Sequence, residues 1–135
     1  MLIDNQNSEY MLGINQMDTT HEEFIHLVNE LELADPQVFQ KRFSELLSHT
    51  QNHFDNESVW MEKSTFPAMD EHMSEHRRVM SDLKHFEKRV QRGSIIMARA
   101  YLIGQLPGWF KLHATTMDSA LARHLKSNDC EGMLE

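Results

Sequence analysis

Seven side chains with metal-binding chemistry recur along this chain, four of them in pairs at helical spacing. In "NHFDNESVWMEKSTFPAMDEHMSEH", residues 52–76, His53 and Glu57 stand four apart, as do His72 and His76, across a Phe66-Pro67 break. Residues four apart on a helix lie about 40° apart in rotation and about 6 Å along the axis, so each pair can reach one metal ion. One such pair is weak evidence, because solvated helix faces carry His and Glu freely. Two pairs on consecutive helical stretches are stronger, and His21 near the start with His113 and Asp118 in "WFKLHATTMD" extend the set to four stretches. Imidazole and carboxylate without thiolate suit iron, manganese or zinc, and donor type alone does not choose among them.

The elements that must position these donors are helical. Thr19 and Glu22 read as a capping box opening a first helix that runs to about Leu33. Asp35-Pro36 reads as an N-cap followed by proline at the first helical position, opening a second helix to about Lys63. A third follows Phe66-Pro67, with Asp70 and Glu71 in its first turn, Lys88, Arg89 and Arg92 in its last, and Gly93 as C-terminal cap. Ser94 is the expected cap of a fourth, running to about Lys126 and kinked between Ile103 and Pro107, where a backbone donor is missing. Short connections and almost no strand signal predict an all-α, up-down antiparallel four-helix bundle. Residues 1–135 read as one domain: an extended N-terminal arm (1–17), the bundle (18–126) and a polar tail (127–135).

Bulk properties exclude several classes of function. A net charge of -8 opposes binding to nucleic acid or an anionic membrane. The start lacks the basic and apolar regions of a secretory signal and no later run is apolar enough to span a bilayer, so the expected location is the cytoplasm. Cys130, in "KSNDCEGMLE", is expected to be an exposed thiol with no structural role. Met61, Met73, Met80 and Met97 are read as core packing. No Ser-His-Asp arrangement or phosphate loop is present.

The ordered set His21, His53-x-x-x-Glu57, His72-x-x-x-His76 and His113-x-x-x-x-Asp118 resembles the complete ligand set of the hemerythrins. The likeness extends to "LGINQMD" before His21, to Phe66-Pro67 and to Trp109 four before His113. Spacing alone does not assign all seven. His113 and Asp118, five apart, lie about 140° apart round an ideal helix, so placing both at one centre rests on the resemblance or on a local distortion. His49 lies one turn before His53 on nearly the same face, and the resemblance, not periodicity, selects His53. His26, His49, His85 and His124 are read as solvated or hydrogen-bonded imidazoles.

The resemblance implies two iron ions in a non-haem diiron, oxo- or hydroxo-bridged centre. His72, His76 and His113 would hold one iron and His21 and His53 the other, with Glu57 and Asp118 bridging them. It implies reversible dioxygen binding at an open position on the two-histidine iron, for carriage, storage or sensing, without enzymatic turnover. The alternative is a diiron redox enzyme or iron-handling protein. Against it, five histidines to two carboxylates and no Glu-x-x-His motif among the ligands depart from oxygen-activating bundles. Reversibility requires apolar walls, and Phe24, Phe54, Trp109 and Leu112, beside ligands in sequence, are the candidates. Ala114 departs from the bulky isoleucine typical of that position, which predicts a larger pocket open to water or small anions such as azide. Other departures, Thr20, Ser58 and Phe66, fall at no implied ligand.

Overall fold

The computed structural model describes residues 1–130 and is all-helical, with no strand among them. A 3-10 turn at Ser8–Tyr10 precedes α1 (Asn15–Leu31), α2 (Pro36–Lys63) and α3 (Met69–Gln91). The fourth helix of the bundle is assembled from α4 (Ile96–Gly104), α5 (Leu106–His113), a π turn (Ala114–Asp118) and α6 (Ser119–Ser127). Consecutive helices pack side by side and α4 returns to α1, closing the bundle. Two apolar clusters fill its ends. One gathers Phe39, Phe43, Leu46, Leu83 and Leu106. The other gathers Met17, Trp60, Met61, Leu121 and Leu125.

The α2 start is as read: Asp35 accepts from the Val38 N–H at 2.9 Å and Pro36 follows it. Three helices end in one device. After α2, α3 and α6 the chain turns through a positive φ at Thr65, Gly93 and Asp129. The next N–H, of Phe66, Ser94 and Cys130, then bonds back to the carbonyl of Met61, Arg89 and Leu125. This Schellman turn folds the following residue back onto the helix's last turns, and at Phe66 and Cys130 that residue is apolar and buried. It explains Cys130, which is buried against the Leu125 cluster and not exposed as expected.

Four further expectations are corrected. α1 opens at Asn15, not at Thr19, because Asp18 accepts from the Leu12 and Gly13 N–H groups at 2.6 and 3.1 Å and anchors the turn earlier. The helix also stops at Leu31, leaving Leu33 exposed. Ser94 caps nothing, since its N–H closes the preceding helix and Ile95 precedes α4 without a side-chain bond. Met97 is half-exposed and outside the core, whereas Met61 and Met80 are buried. The arm is docked as well as extended: Asn29 accepts from the Leu2 and Ile3 N–H groups at 2.8 Å each, and Ile3 and Tyr10 are buried.

The fourth helix has the expected break, at Gln105 (φ -124°, ψ -46°) just before Leu106-Pro107. Below it, the hydroxyls of Thr115 and Thr116 bond the carbonyls of Lys111 and Leu112, four residues back. Such back-bonding bends helices. Here it accompanies a π turn, in which the repeat lengthens to five residues.

Candidate metal centre

Seven polar side chains are buried between the two apolar clusters: His21 from α1, His53 and Glu57 from α2, His72 and His76 from α3, and His113 and Asp118 flanking the π turn. The π turn resolves the five-residue spacing. With i to i+5 geometry, His113 and Asp118 lie about one turn apart on the same face, and His113 Nε2 is 3.1 Å from Asp118 Oδ1.

Donor atoms converge in two overlapping groups. Glu57, His72, His76, His113 and Asp118 form one, and His21, His53, Glu57 and Asp118 the other. Each carboxylate divides its oxygens between them. Glu57 Oε1 lies 3.0 Å from His72 Nε2 and 3.3 Å from His76 Nε2, while Oε2 lies 2.8 Å from His53 Nε2. Asp118 Oδ1 lies 3.1 Å from the Nε2 atoms of both His72 and His113, and Oδ2 accepts from His21 Nε2 at 2.9 Å.

The electrostatics match two buried anions compensated from within. Burial and mutual repulsion would raise the Glu57 pKa, yet His53 and His72 hold it well below the ordinary carboxylate range. Burial likewise works against Asp118, and His113, His21 and His72 outweigh it in the same direction. Burial alone would lower His21, but the Asp118 hydrogen bond and charge, helped by the Tyr10 carbonyl, push it up to about 9. His72, against the same burial, is pushed up to about 9 by Asp118 and Glu57. His76 goes the other way, lowered by burial and by its neighbours His72 and His113 despite Glu57.

The donor set fits cations. Glu57 Oε2 and Asp118 Oδ1 are buried and meet only imidazole nitrogens, at angles poor for hydrogen bonding, and the Nε2 atoms of His76 and His113 face each other at 3.2 Å. A cation within each group gives these atoms the partner that burial requires. His21 is already oriented for that role, because its Nδ1 donates to the Tyr10 carbonyl at 3.2 Å and turns Nε2 toward Asp118 in the cluster. Sequence reasoning missed this contribution of the arm; a backbone carbonyl has no sequence signal.

Beside the two-histidine group lies a cavity of about 10 Å³, lined by His21, Phe24, His53, Phe54, Trp109, Phe110, His113 and Asp118. That is room for about one water-sized molecule. Phe24, Phe54 and Trp109, expected as wall residues, are among those that line it. Phe110 was missed, although it stands one turn before His113; it stacks on Phe24 at 4.9 Å and meets His21 edge-on at 5.4 Å. Two candidates are corrected. Leu112 is 66% exposed, on the outer face of α5. Ala114 is fully buried among core side chains and does not line the cavity, so its small size does not enlarge the pocket.

The remaining histidines lie outside the cluster. His49 points to Glu23 at 3.6 Å, with its pKa lowered by burial. His26 pairs with Glu30, and His124 bonds the Ser64 carbonyl.

Residues 12–126 match the model of the hemerythrin HHE cation-binding domain. The chain belongs to the hemerythrin family. Its similarity to curated hemerythrins spans most of both chains. It is 31% identical over 114 residues to a bacteriohemerythrin of Ralstonia nicotianae, covering 84% of this chain and 82% of that one. It is 29% identical over 124 residues to a bacteriohemerythrin of Aquifex aeolicus, covering 88% and 95%. No solved structure gives a significant match. Among the described residues no helix of this hemerythrin is long and apolar enough to cross a membrane.

Proposed function

We propose that the buried cluster holds two iron ions and binds dioxygen reversibly. The observation that carries this reading is the division of both carboxylates between a three-histidine group and a two-histidine group. His72, His76 and His113 would hold one ion, His21 and His53 the other, and Glu57 and Asp118 would bridge them. When bound, the pair supplies the electrons that dioxygen binding takes up and returns.

The chain's own residues supply the rest. The group with one histidine fewer faces the small cavity, so an exchangeable position would lie there and not on the three-histidine side. Phe24, Phe54, Trp109 and Phe110 wall that cavity with rings and limit the water that would deliver protons to a bound ligand. Tyr10 holds the His21 tautomer through its carbonyl. A cleft lined by Phe66, Ala68, His72, Met117 and Ala120 adjoins His72 of the three-histidine group.

We place the protein in the cytoplasm, acting as one domain over residues 1–135. The test is optical: reduced, iron-loaded protein is cycled between oxygen and argon. The reading requires a spectrum that appears and disappears over several cycles. A single irreversible change to the ferric form contradicts it.

A further inference from the structure

The outer face of the fourth helix is unlike the rest of this acidic surface. From Ile95 to Leu112 the exposed residues are Ile96, Met97, Ala100, Ile103, Gly104, Gln105, Gly108, Lys111 and Leu112. Only one of them is charged. Ile96 is 77% exposed and Ile103 53%, whereas solvent faces of bundle helices are ordinarily polar. Arg99, the other charged residue of the stretch, is turned inward, its guanidinium 5.1 Å over the Phe39 ring and bonded to the Ala34 carbonyl. Single exposed apolar residues need no explanation, but a contiguous apolar face marks an interaction surface.

Charge indicates what covers it. Residues 88–117 contain Lys88, Arg89, Arg92, Arg99 and Lys111 and no Asp or Glu, inside a chain of net charge -8. Lys88, Arg89 and Arg92 are exposed at the end of α3, where the chain enters the apolar face, and Lys111 is exposed at its far end beside Leu112. Among the described residues, none of these four takes part in an ion pair. On α4, Ile96, Ala100 and Ile103 lie within about 60° of one another, an apolar strip roughly 10 Å long, with cations before it on α3 and Lys111 after it beyond the break at Gln105. A second copy placed on it by a two-fold axis would bring cations against cations.

We propose that this face docks an acidic partner protein through an amphipathic helix whose apolar side lies on Ile96, Ala100 and Ile103 and whose carboxylates meet Arg89, Arg92 and Lys111. Apolar contact supplies the affinity, and the charges set orientation and association rate.

The probe is a labelled synthetic helix of about 16 residues with leucine on one face and glutamate on the others, titrated into the native protein by fluorescence anisotropy. The proposal requires saturable binding, weakened about tenfold or more by Ile96→Glu with Ile103→Glu. Binding should be unchanged by Val38→Glu, which alters an exposed apolar residue elsewhere. It should weaken about threefold or more between about 0.05 and 0.3 M salt. Circular dichroism and melting of the double variant confirm that it folds. Equal binding to native protein and double variant overturns the proposal. So does pelleting with phosphatidylglycerol vesicles in preference to the peptide, or a native dimer in light scattering that Ile103→Glu dissociates.

Discussion

Metal uptake should expel protons, and the metal-free protein should lose stability as pH rises. In the metal-free cluster two buried carboxylates are compensated by His21 and His72, each with a pKa of about 9. At pH 7 both imidazoles are therefore protonated, whereas a metal ligand must be neutral. Loading should release about two protons per chain at pH 7 from this pair, and the apparent affinity should rise steeply up to about pH 9. For stability, a folded-state pKa above the ordinary 6.5 means that the contribution is fully present below about pH 6.5 and is lost as pH rises through about 9. Each shift corresponds to about 3 kcal/mol. Because both imidazoles share Asp118, their contributions do not add, and about 3 kcal/mol for the pair is the working figure. The depressed Glu57 and Asp118 act oppositely, contributing above the ordinary carboxylate range and losing that contribution as pH falls below it. The metal-free chain should therefore be most stable near pH 5–6.5, its melting temperature falling by roughly 10 °C toward pH 9.5. The loaded protein should show no such fall. Thermal scans of both forms, with calorimetric metal titration in buffers of different ionisation enthalpy, measure the two effects. Metal-free melting that is flat or rising from pH 6.5 to 9.5, or loading without proton release at pH 7, would mean that His21 and His72 are not the protonated partners of the carboxylates.

Replacing Glu57 or Asp118 with Ala removes an anion shared by both donor groups and strands buried imidazolium charge. Iron content should fall below two per chain and the metal-free fold should weaken by about 3–5 kcal/mol, read by elemental analysis and denaturation. Phe110→Ala deletes a ring that walls the cavity and stacks on Phe24; it should cost about 3–5 kcal/mol and hasten conversion to the ferric form, followed optically. Ala114→Ile, which the sequence alone would favour as a pocket seal, should instead overpack a filled core, lowering stability by about 1–3 kcal/mol without slowing autoxidation.

The buried donor cluster was legible because its chemistry is confined to side chains and most of its spacing follows the helix. His53 with Glu57 and His72 with His76 needed only a periodicity of 3.6. Asp118 needed a π turn, whose only local sign is the pair of threonines at 115 and 116. The kink before Pro107 was legible because a missing N–H has one consequence. Contacts made after a helix ends were not: Cys130 looked like tail because the turn that folds it back depends on Asp129 taking a positive φ, which no glycine announces. The pocket wall was half-legible. Adjacency in sequence to a ligand suggested Leu112 and Ala114, but a neighbour one residue away points about 100° elsewhere on a helix. Phe110, one turn from His113, obeys that geometry.

The central claim is that Glu57 and Asp118 each serve two ions held by unequal sets of histidines. Anomalous diffraction at the iron edge from crystals of the iron-loaded protein tests it most directly. Two iron peaks are expected, one among His72, His76 and His113 and one between His21 and His53, with both carboxylates reaching each. A single peak, or two peaks with either carboxylate bound to only one of them, would contradict it.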